Sequence, residues 1–490
     1  MSNTTVLAMD FGASSGRAIA ATFDGEKITL KEIHRFSNDP VIVNGSMYWD
    51  ILRLFFEIKQ SLVKAKALGK IESIAVDTWG VDFGLIDEDG NLIENPVHYR
   101  DERTKGILEE AEKLLSLEKV YDITGNQIME INSLFQLLAL KKTRPAALER
   151  ADKVMFIPDL LNFFLSGEKK SEMSIASTSS LMDARTKQWS EEILEKAGIS
   201  KDKLAPIVPS GTVLGTLRDD ICEELSVDKI KVITAASHDT QSAMLASPAK
   251  EKDFIFLSCG TWSLFGTELD APVIDENSKT CNVTNETGAE NKTSFLKNII
   301  GLWLIQESRR RWAKEGNEYS FGELESLGEK AEPFACFIDP DDPVFTPSGN
   351  MPKRIREYCE KTGQKVPETV GEIVRCINES LAMKYKTALL EIEKCTGKKY
   401  NAIHIVGGGS QSEQLCRFTA NACGCTVYAG PVEATAFGNA AVQLIACGKI
   451  ENAAKAREII SRSEEIKTYT PCDTEKWEEY YKTFKKVTEK

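Results

Sequence analysis

The sequence predicts an α/β protein of two similar domains around a central cleft, and three observations carry that expectation. At 490 residues the chain is too long for one ordinary core, and with 42% hydrophobic residues it can fill two. Short apolar runs of strand type alternate with helical patterns. Residues 5–22 read as an apolar strand, a small polar turn and a second strand, and the same plan recurs at residues 254–267 with Gly260-Thr261 in the place of Gly12-Ala13. Those two glycines stand 248 positions apart, so each half presents one such turn.

In the first turn Asp10 stands where a buried strand ends. Gly12 and Gly16 are expected at positive φ, so that N–H groups around Ala13, Ser14 and Ser15 form a nest for phosphate oxygens. Asp10 is too negative to touch phosphate but suits Mg²⁺ held through water. A plain hairpin is the competing reading. A third strand follows around residues 28–36, then a helix opened by Trp49-Asp50, with Ile51, Leu54, Phe55, Ile58 and Leu62 at helical spacing and Gly69 at its end.

Residues 71–76 read as a buried strand running into Asp77-Thr78-Trp79-Gly80-Val81-Asp82-Phe83. Ligands in open α/β sheets bind beyond the carboxyl ends of strands, so this stretch is either a small-ligand surface or a turn with solvated aspartates. Residues 96–104 form a charged loop, and residues 105–200 a mainly helical block at the side of the first domain, with Asp159 and Ser190 capping helices.

The strand at 230–235 leads into Ser237-His238-Asp239-Thr240 and a helix. Asp239 at the strand's carboxyl end can accept the proton of a substrate hydroxyl, and a helix N-cap is a compatible role. Lys297 to Gln306 is predicted to begin a helix with polar residues toward the cleft, and residues 371–396 to form a long amphipathic helix. After the strand 402–406, Gly407-Gly408-Gly409 lets a flat ring or phosphate approach bare backbone, or makes a tight connection. Small residues on two helices, Ser242, Ala243 and Ala246 on one and Ala436, Gly438, Ala440 and Ala441 on the other, predict a hinge between the halves.

A net charge of -13 argues against nucleic-acid binding, and the one basic cluster, Arg309 to Arg311, reads as the wet face of a helix. No signal-type leader and no apolar run of membrane length predict a cytoplasmic protein without membrane association. Twelve cysteines lie between Cys222 and Cys472, and Cys423 and Cys425 lack the partners of a zinc site. Cys359 and Cys376, 17 residues apart, could bridge, but a reducing compartment favours free thiols. Neither Gly-x-x-x-x-Gly-Lys-Ser/Thr nor the protein-kinase His-Arg-Asp set occurs, which removes those two phosphotransferase classes.

Taken together, Asp10-Phe-Gly-Ala-Ser-Ser-Gly-Arg17, Asp77 to Phe83, Tyr99-Arg-Asp101, Ser237 to Thr240, Ser258-Cys-Gly-Thr-Trp-Ser263, Leu296-Lys-Asn298, Gly301-Leu-Trp-Leu304 with Gln306, His404 to Gly409 and Ala429 to Ala434 span nearly the whole chain. In this order they resemble the ATPase fold of actin, the 70-kDa chaperones and sugar kinases, and within it the FGGY family of carbohydrate kinases. The resemblance implies two actin-like (ribonuclease H-like) domains, each a mixed sheet flanked by helices: residues 1–246 for sugar and catalytic base, residues 247–490 for nucleotide. It further implies transfer of phosphate from ATP, with Mg²⁺, to the 1-hydroxyl of L-rhamnulose, with Asp239 as the base, by a monomer or homodimer. By the same resemblance Ala13, Ser14, Ser15, Gly16, Arg17, Thr261, Gln306 and Gly408 would meet ATP, and Gly80, His238, Asp239, Thr240 and Asn298 the sugar. Fuculose or xylulose as substrate, or a sugar-binding regulator on the same fold, are the alternatives.

Overall fold

The computed structural model describes residues 3–488. The chain divides into two compact units. The first comprises the residues up to Ala246 together with Leu269–Phe295 and Ala434–Ser463; the second comprises Ser247–Glu268, Leu296–Glu433 and the chain after Ser463. The expected halves at 1–246 and 247–490 therefore differ from the compact units, because two later segments return to the first.

In the first unit, six strands lie in the order Val213–Thr216, Lys231–Ile233, Ser73–Thr78, Thr4–Phe11, Ser15–Phe23, Ile28–Ser37. The last three make an antiparallel meander, while Thr4–Phe11, Ser73–Thr78 and Lys231–Ile233 run parallel. Successive side chains alternate between the two faces. Leu7, Met9, Phe11, Ile74 and Val76 face the helix Ile51–Ala65, whose Ile51, Leu54, Ile58 and Leu62 complete one core. Ala8 and Ala75 point the other way, toward the small-faced helix Ala434–Ala446, and Asp10 and Asp77 continue that second face to the strand ends.

That helix crosses Asp239–Leu245 so closely that a Cβ on Gly438 would lie 1.7 Å from the Ser242 carbonyl oxygen. Both helices belong to the first unit, so the small faces expected to be a hinge between halves are a tight packing contact within one unit. The block from residue 83 to about 205 has its own core around Phe135, Leu137, Phe156, Ile175 and Leu181, built on a three-stranded sheet and short helices. Ser190 caps the helix Glu191–Ala197, as its position predicts. Asp159 is no cap: it lies inside the helix Ile157–Ser166 and accepts from the Glu172 N–H at 3.0 Å.

The second unit repeats the plan. Trp262–Leu269 pairs antiparallel with Ile255–Cys259, which pairs in parallel with Ala402–Val406, followed by Thr426–Ala429 and Lys467–Tyr469. The long helix spans Val370–Thr396. Lys297 and Asn298 lie on the strand Thr293–Ile300, and the helix begins only at Trp303, so the predicted helix start at 297 is corrected by six residues.

Candidate active site

Strand register assembles the first part of the site. Asp10 pairs across the parallel ladder with Asp77 and across the antiparallel hairpin with Arg17. The Arg17 guanidinium donates to the Asp10 carboxylate at 2.5 Å. Asn439 from the small-faced helix donates to Asp77 Oδ2 at 2.5 Å, while Asp77 Oδ1 is buried without a hydrogen-bond partner. Beyond the third parallel strand the Thr78 N–H donates to the Ser237 carbonyl at 2.9 Å, which brings His238 and Asp239 alongside the same strand ends.

The loop carrying them is held from below. Buried Glu172 accepts from the Ser237 N–H at 3.0 Å and from the Ser174 and Ser210 hydroxyls, and the Ser174 hydroxyl in turn accepts from the His238 N–H. His238 is the N-cap residue of the helix Asp239–Leu245, so Asp239 occupies its first turn. His238 Nδ1 is 2.8 Å from Glu286, which also accepts from Gln241, and His238 Nε2 faces Asp239 at 3.6 Å. Glu172, Glu286 and Asn439 are the members sequence reasoning missed; the polar pair Asn439 and Gln443, one turn apart on an otherwise apolar helix, was the available signal.

Burial alone would push His238 down, but the charge and hydrogen bond of Glu286, helped by Asp239 and Glu172, raise it to about 9. The imidazolium therefore persists at neutral pH. Burial raises Asp239 to about 6; His238 and the Thr240 hydroxyl and N–H oppose the rise, and Asp10 adds to it. Asp239 keeps 29% of its side chain open to solvent, so a ligand can reach it. Asp77 is pushed well above the carboxylate range by burial and by the charges of Asp10 and Asp239.

Asp10, Asp77 and Asp239 thus gather three acidic groups, with the Arg17 guanidinium on Asp10 and the His238 imidazolium facing Asp239. Among the described residues they do not bring three ligand atoms within 4.8 Å of one another, so they form no closed cage. The orphaned Asp77 oxygen beside the Asp10 carboxylate fits a hydrated divalent cation such as Mg²⁺, which usually keeps several of its waters and would favour the ionised form of Asp77.

Gly12 and Gly16 both lie outside the left-handed region, contrary to expectation. Glycine is needed at 16 for room: a Cβ there would meet the Phe36 ring at 2.3 Å. The turn closes by the Gly12 N–H donating to Ser15 O at 2.9 Å, with Ala13 and Ser14 at its tip. In the stretch 77–83, Asp82 is buried rather than solvated. It accepts from Trp49 Nε1, Trp79 Nε1, the Tyr99 N–H and Gln136, although burial still raises it to about 6. Gly80 packs against Thr178, where a Cβ would come within 3.2 Å, and the Val81 N–H after it is held by the Thr178 hydroxyl at φ 67°. A β-branched residue at positive φ is strained, and the surrounding hydrogen bonds fix it there.

In the second unit the hairpin turn Gly260-Thr261 collects the other candidates. The Leu302 N–H donates to Gly260 O and the Trp303 N–H to Thr261 O, seating the helix Trp303–Lys314 on the turn. The Thr261 hydroxyl then meets Gln306 Oε1 at 3.1 Å. The glycine triplet follows the strand Ala402–Val406, parallel to the hairpin. A Cβ on Gly409 would meet Cys259 Sγ at 2.2 Å, whereas one on Gly408 would meet nothing within 4 Å. Thr261, Gln306 and Gly408 therefore surround one hairpin, with Gly408 as bare backbone. Asn298 lies in this unit, on the strand Thr293–Ile300, whereas Gly80, His238, Asp239 and Thr240 lie in the first.

Residues 5–246 match the N-terminal domain of the FGGY family of carbohydrate kinases, and residues 255–447 its C-terminal domain. The chain is 43% identical over 479 residues to the rhamnulokinase of Bacteroides thetaiotaomicron, covering 98% of each chain. It is 42% identical over 471 residues to that of Halalkalibacterium halodurans, covering 96% of this chain and 99% of the relative. Among solved structures, a ligand-bound xylulose kinase from Lactobacillus acidophilus superposes with a TM-score of 0.83 at 17% identity, covering 99% of this chain and 97% of that one. A Plasmodium falciparum glycerol kinase with ADP superposes at 0.80 and 16%, covering 99% and 98%; at such identities the likeness is one of fold.

Proposed function

The chain belongs to the FGGY family of carbohydrate kinases, and from that premise we propose that it transfers the γ-phosphoryl group of ATP to the 1-hydroxyl of L-rhamnulose. The observation that carries the reading is Asp239: reachable by solvent, at the end of the parallel strands, ionised at neutral pH and faced by an imidazolium. A carboxylate with a pKa near 6 is basic enough to accept a hydroxyl proton and is still ionised at pH 7.

In this reading Asp239 takes the proton of the sugar hydroxyl as its oxygen attacks the γ-phosphorus, and ADP leaves. His238, locked by Glu286, keeps Asp239 ionised and with Gly80, Thr240 and Asn298 orients the sugar. The turn from Ala13 through Ser14, Ser15 and Gly16 to Arg17 meets the phosphates, and Thr261, Gln306 and Gly408 meet the rest of the nucleotide. Phosphoryl transfer asks mostly for positioning and charge neutralisation, which these groups supply. Mg²⁺ held through water by Asp10 would neutralise phosphate charge. Among the described residues no helix is long and apolar enough to cross a membrane, and every cysteine is a free thiol, which suits a cytoplasmic enzyme.

The test is a panel of ketoses with ATP, read by ADP release and by the position of the phosphorus in the product. L-Rhamnulose should give the highest kcat/KM and a 1-phosphate. Preference for fuculose or xylulose by more than tenfold would overturn the sugar assignment, and ATP-independent binding without turnover would favour a regulator.

A further inference from the structure

Three cysteines from three separate elements of the second unit converge away from the site described above. Cys336 lies in the irregular segment after the helix Phe321–Lys330, Cys359 in the helix Met351–Lys361, and Cys376 near the start of Val370–Thr396. All three are buried, and their sulfurs lie within 4.8 Å of one another. Among the described residues this is the one set of three cysteine, histidine or carboxylate ligand atoms so close together.

We propose that Cys336, Cys359 and Cys376 form a tri-thiolate site for one thiophilic divalent cation, Zn²⁺ by its chemistry, with its fourth position open to the adjoining cleft. Tetrahedral zinc with Zn–S bonds near 2.3 Å spaces its sulfurs by roughly 3.8 Å. The observed spacing reaches that by a contraction of about 1 Å or less, whereas a disulfide needs two sulfurs near 2 Å. Cys336 and Cys376 form part of the cleft wall, with Glu332, Lys365, Glu372 and Glu379 beside them. Three carboxylates against Lys365 and Arg375 leave that wall net negative, which favours a cation and can admit a water as fourth ligand.

The backbone on either side of Cys336 is already held by hydrogen bonds. Arg375 Nε donates to Glu379 at 2.7 Å, Glu379 accepts from the Phe334 N–H, Gln364 holds the Phe337 N–H and Ser380 the Ile338 N–H. These bonds fix the segment around Cys336 without help from the sulfurs, so the geometry is ready for the metal. Binding exchanges the thiol protons for the cation with no change of oxidation state, and it staples the segment to two helices.

The full chain, purified with a thiol reductant and without chelator, is analysed for metal by mass spectrometry. The metal-stripped protein is then titrated with Co²⁺. One zinc per chain and a thiolate-to-cobalt charge-transfer band are expected. Cys336→Ser and Cys376→Ser should each lose stoichiometric zinc, while Cys472→Ser, exposed and outside the cluster, should keep it. If a cluster variant fails to fold, the cobalt spectrum of the unmodified protein decides alone. No stoichiometric metal with no charge-transfer band in the reduced protein overturns the site, as does a Cys359–Cys376 disulfide that persists in it.

Discussion

Replacing Glu286 with Gln keeps a hydrogen-bond acceptor for His238 but removes the carboxylate charge that, after the opposing effect of burial, raises the imidazole to about 9. His238 should then lose much of its charge at neutral pH, and Asp239 should lose the partner that holds it down at about 6. An opposite charge at such a distance typically moves a carboxyl by ~1 to 3 units, so the acid limb of kcat should rise by about one unit or more. With the limb at pH 6, turnover in the unmodified enzyme drops roughly tenfold from pH 7 to pH 5, as the ionised fraction falls from ~0.91 to ~0.09. With the limb at 7, the variant is about twofold slower at pH 7 and roughly fivefold slower at pH 6, and it recovers by pH 8 to 9. The assay is the pH profile of ADP release with saturating sugar and ATP. An unmoved acid limb would refute the coupling of Glu286 and His238 to Asp239, because loss of fold alone lowers turnover at every pH.

Gly408→Val should weaken ATP binding by about tenfold or more with little change in sugar affinity or melting temperature, since its Cβ meets no protein atom. Calorimetric titration of each ligand checks this, and equal loss of both would point to misfolding. Gly409→Ala, by contrast, must displace Cys259 and should lower stability by ~1 to 3 kcal/mol in a denaturant titration. Gly438→Ala drives a Cβ into the Ser242 backbone and should destabilise the first unit by a similar ~1 to 3 kcal/mol or more; a melting temperature within a degree of the parent would contradict the close crossing.

Local chemistry was the legible part of the sequence. The two hairpins, the glycine triplet and Asp239 could be read because each is a short run whose turn residues, strand ends and charge stand next to one another. The supports around Asp239 were not, since Glu172 holds the Ser237 N–H, Glu286 holds His238 and Asn439 holds Asp77, each from a remote segment through tertiary packing. Glu286 sits in the polar strand Thr284–Thr287, which nothing local marks as buried. Asp159 misled because capping rules see only neighbours; Pro158 suits the first helical turn, and the helix starts at Ile157 ahead of it. At 297–300 the four residues Lys-Asn-Ile-Ile are too few for their period to separate strand from helix, and sheet pairing decided for strand. Gly16 was correctly singled out but for the wrong property, being required by the Phe36 ring rather than by backbone conformation.

The central claim, that Asp239 is the base of an ATP-dependent sugar kinase, is tested most directly by single-turnover phosphorylation of L-rhamnulose by Asp239→Asn. The substitution preserves shape and the helix start while removing the proton acceptor. Phosphoryl transfer should slow by ~10² to 10⁴-fold, with ATP affinity and melting temperature close to the parent's. Transfer within threefold of the parent at pH 7 would contradict the account.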